Sequence, residues 1–152
     1  MTLANHLVVF AKAPRPGRVK RRLAAGIGED AALAFYRQTL AGLLRRVGGD
    51  SRWRTWIALT PDNAAANGDP WPPDMPRLAQ GRGNLGTRMA RAFGTLPPGR
   101  GVIVGSDIPD IRARHIAAAF AALDTHDTVF GPAVDGGFWL VGLGRPARAA
   151  GL

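Results

Sequence analysis

Cysteine is absent from this chain, which excludes disulfide bonds, thiolate catalysis and a zinc site built on cysteine. Long hydrophobic runs are absent too, because the apolar run near the N-terminus is short and leads directly into charged residues. Such a run is too short for a signal peptide or a membrane span. The sequence therefore predicts a cytoplasmic protein with no membrane span.

Acidic residues are scarce: 11 stand against 20 lysines and arginines, and the formal net charge is +9. A positive charge of this size can indicate nucleic-acid binding, because clustered arginines neutralise phosphates and release counterions. Most arginines here are instead scattered in pairs among alanines, and the four tryptophans lack the basic neighbours typical of a single-strand binding platform. This pattern therefore does not favour nucleic acid as a partner, and a basic nucleic-acid binder is kept as a third functional class.

The length of 152 residues and a hydrophobic content of 46% are sufficient for one domain with a buried core. Strand and helix patterns alternate along the chain, which predicts an α/β fold with a mostly parallel sheet. The close spacing of the last two strands predicts an antiparallel pair. The predicted strands are 6–11, 53–59, 101–105, 127–132 and 138–143, and the predicted helices are 29–47, 85–96 and 111–123.

The clustered positive charge directly follows the first predicted strand. Six cationic side chains and no acid lie between Lys12 and Arg22, and the only two lysines of the chain are among them. Because Gly17 and two prolines disfavour helix, we predict that residues 10–23 form a fixed basic loop at the carboxyl end of a buried strand, where open α/β sheets bind ligands. Such a loop suits a polyphosphate, with a plain solvated connection as the alternative. The pattern of an ordinary phosphate-binding P-loop is absent.

Two aspartates are candidates for metal binding. Asp107 comes at the carboxyl end of an apolar strand, where a carboxylate can coordinate a divalent cation that bridges nucleotide phosphates. Asp135, followed by Gly136 and Gly137, could face Asp107 and help to complete a Mg²⁺ or Mn²⁺ shell. The alternatives are a turn or helix cap at Asp107 and a hairpin turn at Asp135. Asp110, just before the third predicted helix, is assigned mainly to capping.

A formal Gly-x-Gly-x-x-Gly pattern runs from Gly81 to Gly86. A dinucleotide fingerprint requires a hydrophobic strand directly before it, and residues 74–79 make a poor strand, so dinucleotide binding is only a minor alternative. We predict a loop that approaches a base or ribose and leads into the helix carrying Arg88. The three histidines show no metal-ligand spacing and are expected on strand or helix surfaces.

Four ordered blocks of sequence, at residues 10–23, 80–89, 105–109 and 131–140, together resemble the DUF2064 family of the GT-A superfamily. Members of this family are similar to nucleotide-sugar glycosyltransferases and small nucleotidyltransferases. The resemblance covers nearly the whole chain. It implies a GT-A fold, a three-layer α/β/α arrangement whose mostly parallel sheet has one antiparallel strand. It also implies a single nucleotide-binding domain over residues 1–152, without the C-terminal elements usual in the family.

The resemblance further implies a glycosyltransferase-like enzyme that uses a nucleotide-sugar and a divalent metal, Mg²⁺ or Mn²⁺, to stabilise the nucleotide diphosphate leaving group. The alternatives are a nucleotidyltransferase acting on a nucleoside triphosphate and a non-catalytic nucleotide-binding protein. The small-molecule acceptor and the oligomeric state are left open. Asp107 and Asp135 take the catalytic and metal-binding positions. The implied nucleotide-binding residues are Ala11, Lys12, Arg15, Gly17, Lys20, Arg22, Gln80, Gly81, Asn84, Gly86 and Arg88.

Overall fold

The computed structural model describes residues 4–13, 20–61, 71–72, 74–106, 108, 110–133 and 136–144 of the chain. These ranges contain six strands and four helices. The strands are β1 (Asn5–Lys12), β2 (Arg54–Thr60), β3 (Arg77–Ala79), β4 (Arg100–Gly105), β5 (Thr128–Pro132) and β6 (Phe138–Leu143). The helices are α1 (Arg21–Ile27), α2 (Glu29–Val47), α3 (Leu85–Thr95) and α4 (Ala113–Ala122).

The six strands form one sheet in the order β3-β2-β1-β4-β6-β5. The pairs β1–β2, β1–β4 and β2–β3 are parallel, whereas β6 runs antiparallel to both of its neighbours. The predicted sheet, mostly parallel with one antiparallel strand, is therefore confirmed. From β1 the chain moves outward through β2 to β3 and then crosses back to β4, so the strand order reverses between β1 and β4. That reversal is the topological switch point of the sheet.

Helices cover both faces of the sheet because successive side chains of a strand point to opposite sides. In β1, Leu7 and Val9 belong to a core shared with α2 and α4, whereas Val8 belongs to a second core shared with α3. The implied three-layer α/β/α arrangement is confirmed. The first core also contains Tyr36, Leu40, Leu43, Ile57, Leu59, Val102, Val104, Ile116, Phe120 and Leu140, and the second contains Ala58, Ala92, Phe93, Leu96 and Ile103.

The helix α1 begins at Arg21, so the prediction of a loop over residues 10–23 is wrong from Arg21 onward. Residues 21–25 contain no glycine or proline, and leucine, arginine and alanine all favour helix. Gly28 separates α1 from α2: its φ of 92° lies in a region that glycine tolerates, and its N–H donates to the carbonyl of Ala24 at 2.8 Å. The predicted bounds of α2 agree with the structure.

The segment before Gln80 also differs from the expectation of a poor strand, because Arg77–Ala79 forms an edge strand. Its pairing partner β2 supplies what the local sequence lacks: the N–H of Ile57 donates to the carbonyl of Pro76 at 2.9 Å, and the N–H of Gln80 donates to the carbonyl of Leu59 at 3.0 Å. Tertiary hydrogen bonding thus overrides a weak strand propensity.

Two further expectations about polar residues are wrong. Asp110 does not cap α4, since the N-cap is Arg112, whose backbone N–H donates to Nδ1 of His115 at 2.8 Å, and Asp110 is exposed. His6 is buried rather than on the surface, because β1 lies inside the sheet, and its Nδ1 accepts a hydrogen bond from the indole N–H of Trp56 at 3.2 Å. No helix in the described ranges has the length and apolarity needed to cross a membrane.

Candidate functional site

The candidate site lies at the carboxyl edge of the sheet, where β1 and β4 end side by side. Phe10 of β1 is paired with Gly105 of β4, so the chain leaves both strands from neighbouring positions. Lys12 is exposed at the end of β1, and Ser106, directly after β4, is buried. The switch point of the sheet therefore coincides with the start of the basic segment and with the residue that precedes Asp107.

The end of β1 is fixed by a residue that sequence analysis missed. The hydroxyl group of Tyr36 in α2 donates to the carbonyl of Lys12 at 2.7 Å and accepts from the N–H of Lys12 at 2.8 Å. Tyr36 is the only tyrosine in the chain and is buried against the sheet. A buried tyrosine usually finds a hydrogen-bond partner for its hydroxyl, which is the one signal that could have drawn attention to it.

Gln80 connects three parts of this edge. Its amide nitrogen donates to the carbonyls of Ala11 at 3.2 Å and Ala58 at 2.9 Å, which belong to β1 and β2. Its amide oxygen accepts from the guanidinium group of Arg88 at 2.8 Å. The side chain is buried, and these bonds occupy both of its amide hydrogens. Three of the predicted nucleotide-binding residues, Ala11, Gln80 and Arg88, are therefore brought together, and Gln80 acts as their structural connection.

Two arginines of α3 bring positive charge to the same edge. Arg88 binds the side chain of Gln80, and the guanidinium group of Arg91 donates to the backbone carbonyl of Gln80 at 2.6 Å. Within the described ranges neither guanidinium is paired with a carboxylate, and the Nε atom of Arg88 is buried without a hydrogen-bond partner. A partly buried cation held by neutral groups favours an anionic ligand nearby.

The loop between Gln80 and α3 depends on its glycines and on an N-cap. Gly81 has a φ of 78°, and a β-carbon at this position would collide with the guanidinium group of Arg91. The side-chain oxygen of Asn84 accepts from the N–H of Thr87 at 2.8 Å and caps α3, whose first turn contains the exposed Gly86. The structure thus gives Gly81 and Asn84 a role in shaping this loop.

A strand does precede the glycine-rich loop, contrary to the expectation for residues 74–79. That strand, however, has three residues and lies at the edge of the sheet, two strands away from the switch point. The fingerprint requires the glycine-rich turn to follow a strand at the switch point, where the pyrophosphate reaches the helix N-terminus. The position of the loop therefore does not favour dinucleotide binding.

Lys20 lies at the N-terminus of α1 with a left-handed φ of 50°, and its ammonium group lies 5.7 Å from the centre of the Phe35 ring. This cation–π contact connects the end of the basic segment to α2. Arg15, Gly17, Asp107 and Asp135 lie outside the described residues, as does the side chain of Arg22. For these residues the assignments made from the sequence stay predictions.

The metal site also stays a prediction. Within the described ranges no three histidines, aspartates or glutamates lie close enough to hold an ion. Carboxylate oxygens are the donors that Mg²⁺ and Mn²⁺ prefer, so Asp107 and Asp135 fit such an ion by their chemistry. Close to Asp135, the N–H of Gly136 donates to the carbonyl of Ala133 at 3.1 Å and the N–H of Ala133 donates to the carbonyl of Gly137 at 2.7 Å. These bonds join the end of β5 to the start of β6.

Residues 43–151 match the family described as "Uncharacterized protein conserved in bacteria (DUF2064)". The chain belongs to this family. A solved structure from Desulfovibrio desulfuricans G20, whose assignment as a nucleotide-diphospho-sugar transferase is itself provisional, is 30% identical to it. The match covers 97% of this chain and 68% of that chain with a TM-score of 0.81. No curated protein matches the sequence significantly. The resemblance to DUF2064 is confirmed, and the transferase name of this relative agrees with the class of enzyme that we expected.

Two more distant structures have the same fold. One is a 4-diphosphocytidyl-2C-methyl-D-erythritol synthase from Anaerococcus prevotii DSM 20548, which is 11% identical with a TM-score of 0.55 and coverages of 90% of this chain and 62% of that one. The other is a CMP:2-keto-3-deoxy-manno-octonic acid synthetase solved with CTP, 10% identical with a TM-score of 0.55 and coverages of 96% and 76%. At this identity the likeness is one of fold alone.

Proposed function

We propose that this member of DUF2064 is a transferase that uses a nucleotide-sugar as donor, with the nucleotide phosphates bound at the β1/β4 switch point. The observation that carries the proposal is the coincidence of three features at one edge of the sheet. The strand order reverses there, the basic segment begins there at Lys12, and the segment leading to Asp107 leaves β4 beside it. Open α/β sheets bind their ligands at such a point.

In this proposal the phosphates are bound by the cationic residues of the first block, Lys12, Arg15, Lys20 and Arg22. The hydrogen bonds from Tyr36 hold the backbone of Lys12 and so set where this segment begins. The Gly81–Gly86 loop, held by Arg91 and by the Asn84 cap, would border the base or ribose. Arg88 and Arg91 have no carboxylate partner among the described residues, and their charge supports an anionic ligand at this edge.

Asp107 and Asp135 would hold a Mg²⁺ or Mn²⁺ ion. Their described neighbours support this, because Ser106 follows β4 and Gly136 precedes β6, and these two strands are adjacent in the sheet with Val104 opposite Leu140. When bound, the ion would supply charge neutralisation on the departing phosphate. The two carboxylates would orient it, and Asp135, on the side of the acceptor, could also accept the proton of the attacking hydroxyl group.

The names of the three similar structures described above favour two reactions with similar donor sites. Transfer of a sugar from a nucleotide-sugar releases a nucleoside diphosphate, whereas transfer of a nucleotidyl group from a nucleoside triphosphate releases pyrophosphate. The similarity in fold to a synthetase solved with CTP keeps the second reaction as the alternative. Measuring which product accumulates with an acceptor mixture distinguishes the two, and binding without turnover would indicate a non-catalytic nucleotide-binding protein.

The first experiment is a thermal melt of the protein with UDP-, GDP-, ADP- and CDP-sugars and with nucleoside triphosphates, each with and without Mn²⁺ or Mg²⁺. Ligand at about a hundred times its Kd stabilises the native state by about 2.7 kcal/mol, which raises the Tm of a domain of this size by about 5–10 °C. We expect a metal-dependent shift with one series of nucleotides.

Two variants make the experiment specific. Asp107→Asn should remove the metal dependence of the shift, whereas its control Asp110→Asn, an exposed aspartate three residues away, should not. The absence of a shift with every ligand, or an equal loss in both variants, would contradict the proposal. Indifference to nucleotides together with salt-sensitive binding to DNA would instead support the nucleic-acid class.

A further inference from the structure

An apolar groove of about 480 Å³ lies between α2 and the segment before β3, away from the proposed nucleotide site. One wall is formed by Leu40 and Leu44 of α2, and the other by Trp71, Pro72 and Met75 from the segment before β3. Its volume falls within the range of about 300–1,000 Å³ that is usual for small-molecule sites.

The groove and the candidate nucleotide site are at different ends of the sheet. Because α2 joins the carboxyl end of β1 to the amino end of β2, its C-terminal half approaches the amino edge. The groove is lined by that half of the helix and by Gly49, which follows it. A ligand in the groove would therefore not occupy the phosphate site at the carboxyl edge.

The polar side chains lining the groove are all hydrogen-bond donors. Arg37 and Arg45, eight residues apart and so about 12 Å apart along the helix, flank the exposed Ala41 on one stripe of α2. Trp71 is buried, and its indole N–H has no acceptor among the described residues. Within the described lining there is no carboxylate, so the groove offers the positive charge of Arg45 and the indole N–H of Trp71 but no charged acceptor.

We propose that this groove binds a small amphipathic carboxylate, with its apolar body between the walls and its carboxylate on Arg45. An apolar body is required because leucine, proline, methionine and tryptophan line most of the groove, and burying apolar surface drives such binding. An anion is required because a carboxylate supplies the acceptors that these walls lack, and its hydrogen bonds to guanidinium are strong. A neutral ligand of the same shape would offer the Arg45 guanidinium no counter-charge, and the described lining supplies none.

The test compares 4-phenylbutyrate with 4-phenylbutan-1-ol, which has the same apolar body and no charge, by isothermal titration calorimetry of the full chain. We expect the carboxylate to bind about tenfold more tightly than the alcohol, the factor that corresponds to one partly exposed charge-assisted contact. Arg45→Gln should abolish that difference, whereas Arg114→Gln, at an exposed arginine of α4, should preserve it.

A second pair of variants tests the location. Ala41→Phe places a ring in the groove and should prevent binding of both compounds, while Ala34→Phe, at an exposed alanine of α2 outside the groove, should leave binding unchanged. Both sites are exposed, so neither variant is expected to unfold the protein. Equal affinity for acid and alcohol, no binding of either, or binding that survives Ala41→Phe would overturn the proposal. Nucleotide binding should be the same in all four variants.

Discussion

Replacing Gln80 with methionine tests whether the carboxyl edge is built around this side chain. Methionine has nearly the same length and volume but cannot make the hydrogen bonds of the amide. Two bonds to backbone carbonyls, at Ala11 and Ala58, are worth about 1 kcal/mol each, and the bond from the charged Arg88 about 1.5–3 kcal/mol. We therefore expect Gln80→Met to lower the free energy of unfolding by about 3–5 kcal/mol.

Urea unfolding followed by circular dichroism measures this change as a lower midpoint with an unchanged m-value. At about 2–4 °C per kcal/mol for a domain of this size, the Tm should fall by about 6–20 °C. A double-mutant cycle with Arg88→Met isolates the Gln80–Arg88 bond and should give a coupling energy of about 1.5–3 kcal/mol. A decrease below about 1 kcal/mol in the free energy of unfolding for Gln80→Met, or a coupling energy near zero, would refute the reasoning, because removing a buried amide with three hydrogen-bond partners should cost more than that.

Three further predictions concern separate contacts. Tyr36→Phe removes both hydrogen bonds to the backbone of Lys12, so it should lower the free energy of unfolding in urea by about 1–3 kcal/mol and weaken nucleotide binding. The control Trp53→Phe removes a hydrogen bond to Val47 far from the site and should leave nucleotide binding unchanged. Asn84→Ala should lose about 0.5–2 kcal/mol of cap stabilisation in a thermal melt, whereas Asn84→Asp should retain it. Burial lowers the pKa of His6 below 6.5, so at lower pH the unfolded chain binds more protons than the folded one. The free energy of unfolding from urea titrations should therefore be constant above pH 6.5 and fall as the pH drops below it, and His6→Gln should flatten this pH dependence.

The parts of the fold that the sequence predicted are those with local signals. The helix α2 was predictable because its apolar residues recur at helical spacing and Gly48 follows its last residue. The antiparallel pair β5–β6 was predictable from the short distance between two apolar runs. By contrast, β3 depends on backbone hydrogen bonds to β2, and no sequence pattern within Arg77–Ala79 predicts that pairing. The start of α1 at Arg21 was not predictable in this way, because the nearby glycine and prolines favour a loop and no cap residue precedes Arg21.

The roles of the site residues likewise depend on contacts that are distant along the chain. Sequence resemblance brought Gln80, Asn84 and Arg88 to attention as nucleotide-binding residues, and the structure gives each of them a partner within the protein. The partners of Gln80 lie 69, 22 and 8 residues away along the chain, distances over which no spacing rule applies. Tyr36 went unnoticed for the same reason, since it meets Lys12 only after α2 has packed on the sheet.

The hydrogen bonds of Gln80 change the role expected for the second block of resemblance, residues 80–89. The amide of Gln80 uses both of its hydrogens and its oxygen on the protein, so a nucleotide could reach it only by breaking bonds that hold β1, β2 and α3 together. Its effect on a ligand must then pass through the neighbours that it positions, Ala11 at the end of β1 and Arg88 on α3. Gln80→Met should consequently weaken nucleotide binding and stability together, whereas Lys12→Ala, at an exposed side chain, should weaken binding with little loss of stability. A variant of Gln80 that lost binding while keeping its stability would instead mean that the amide turns towards the ligand.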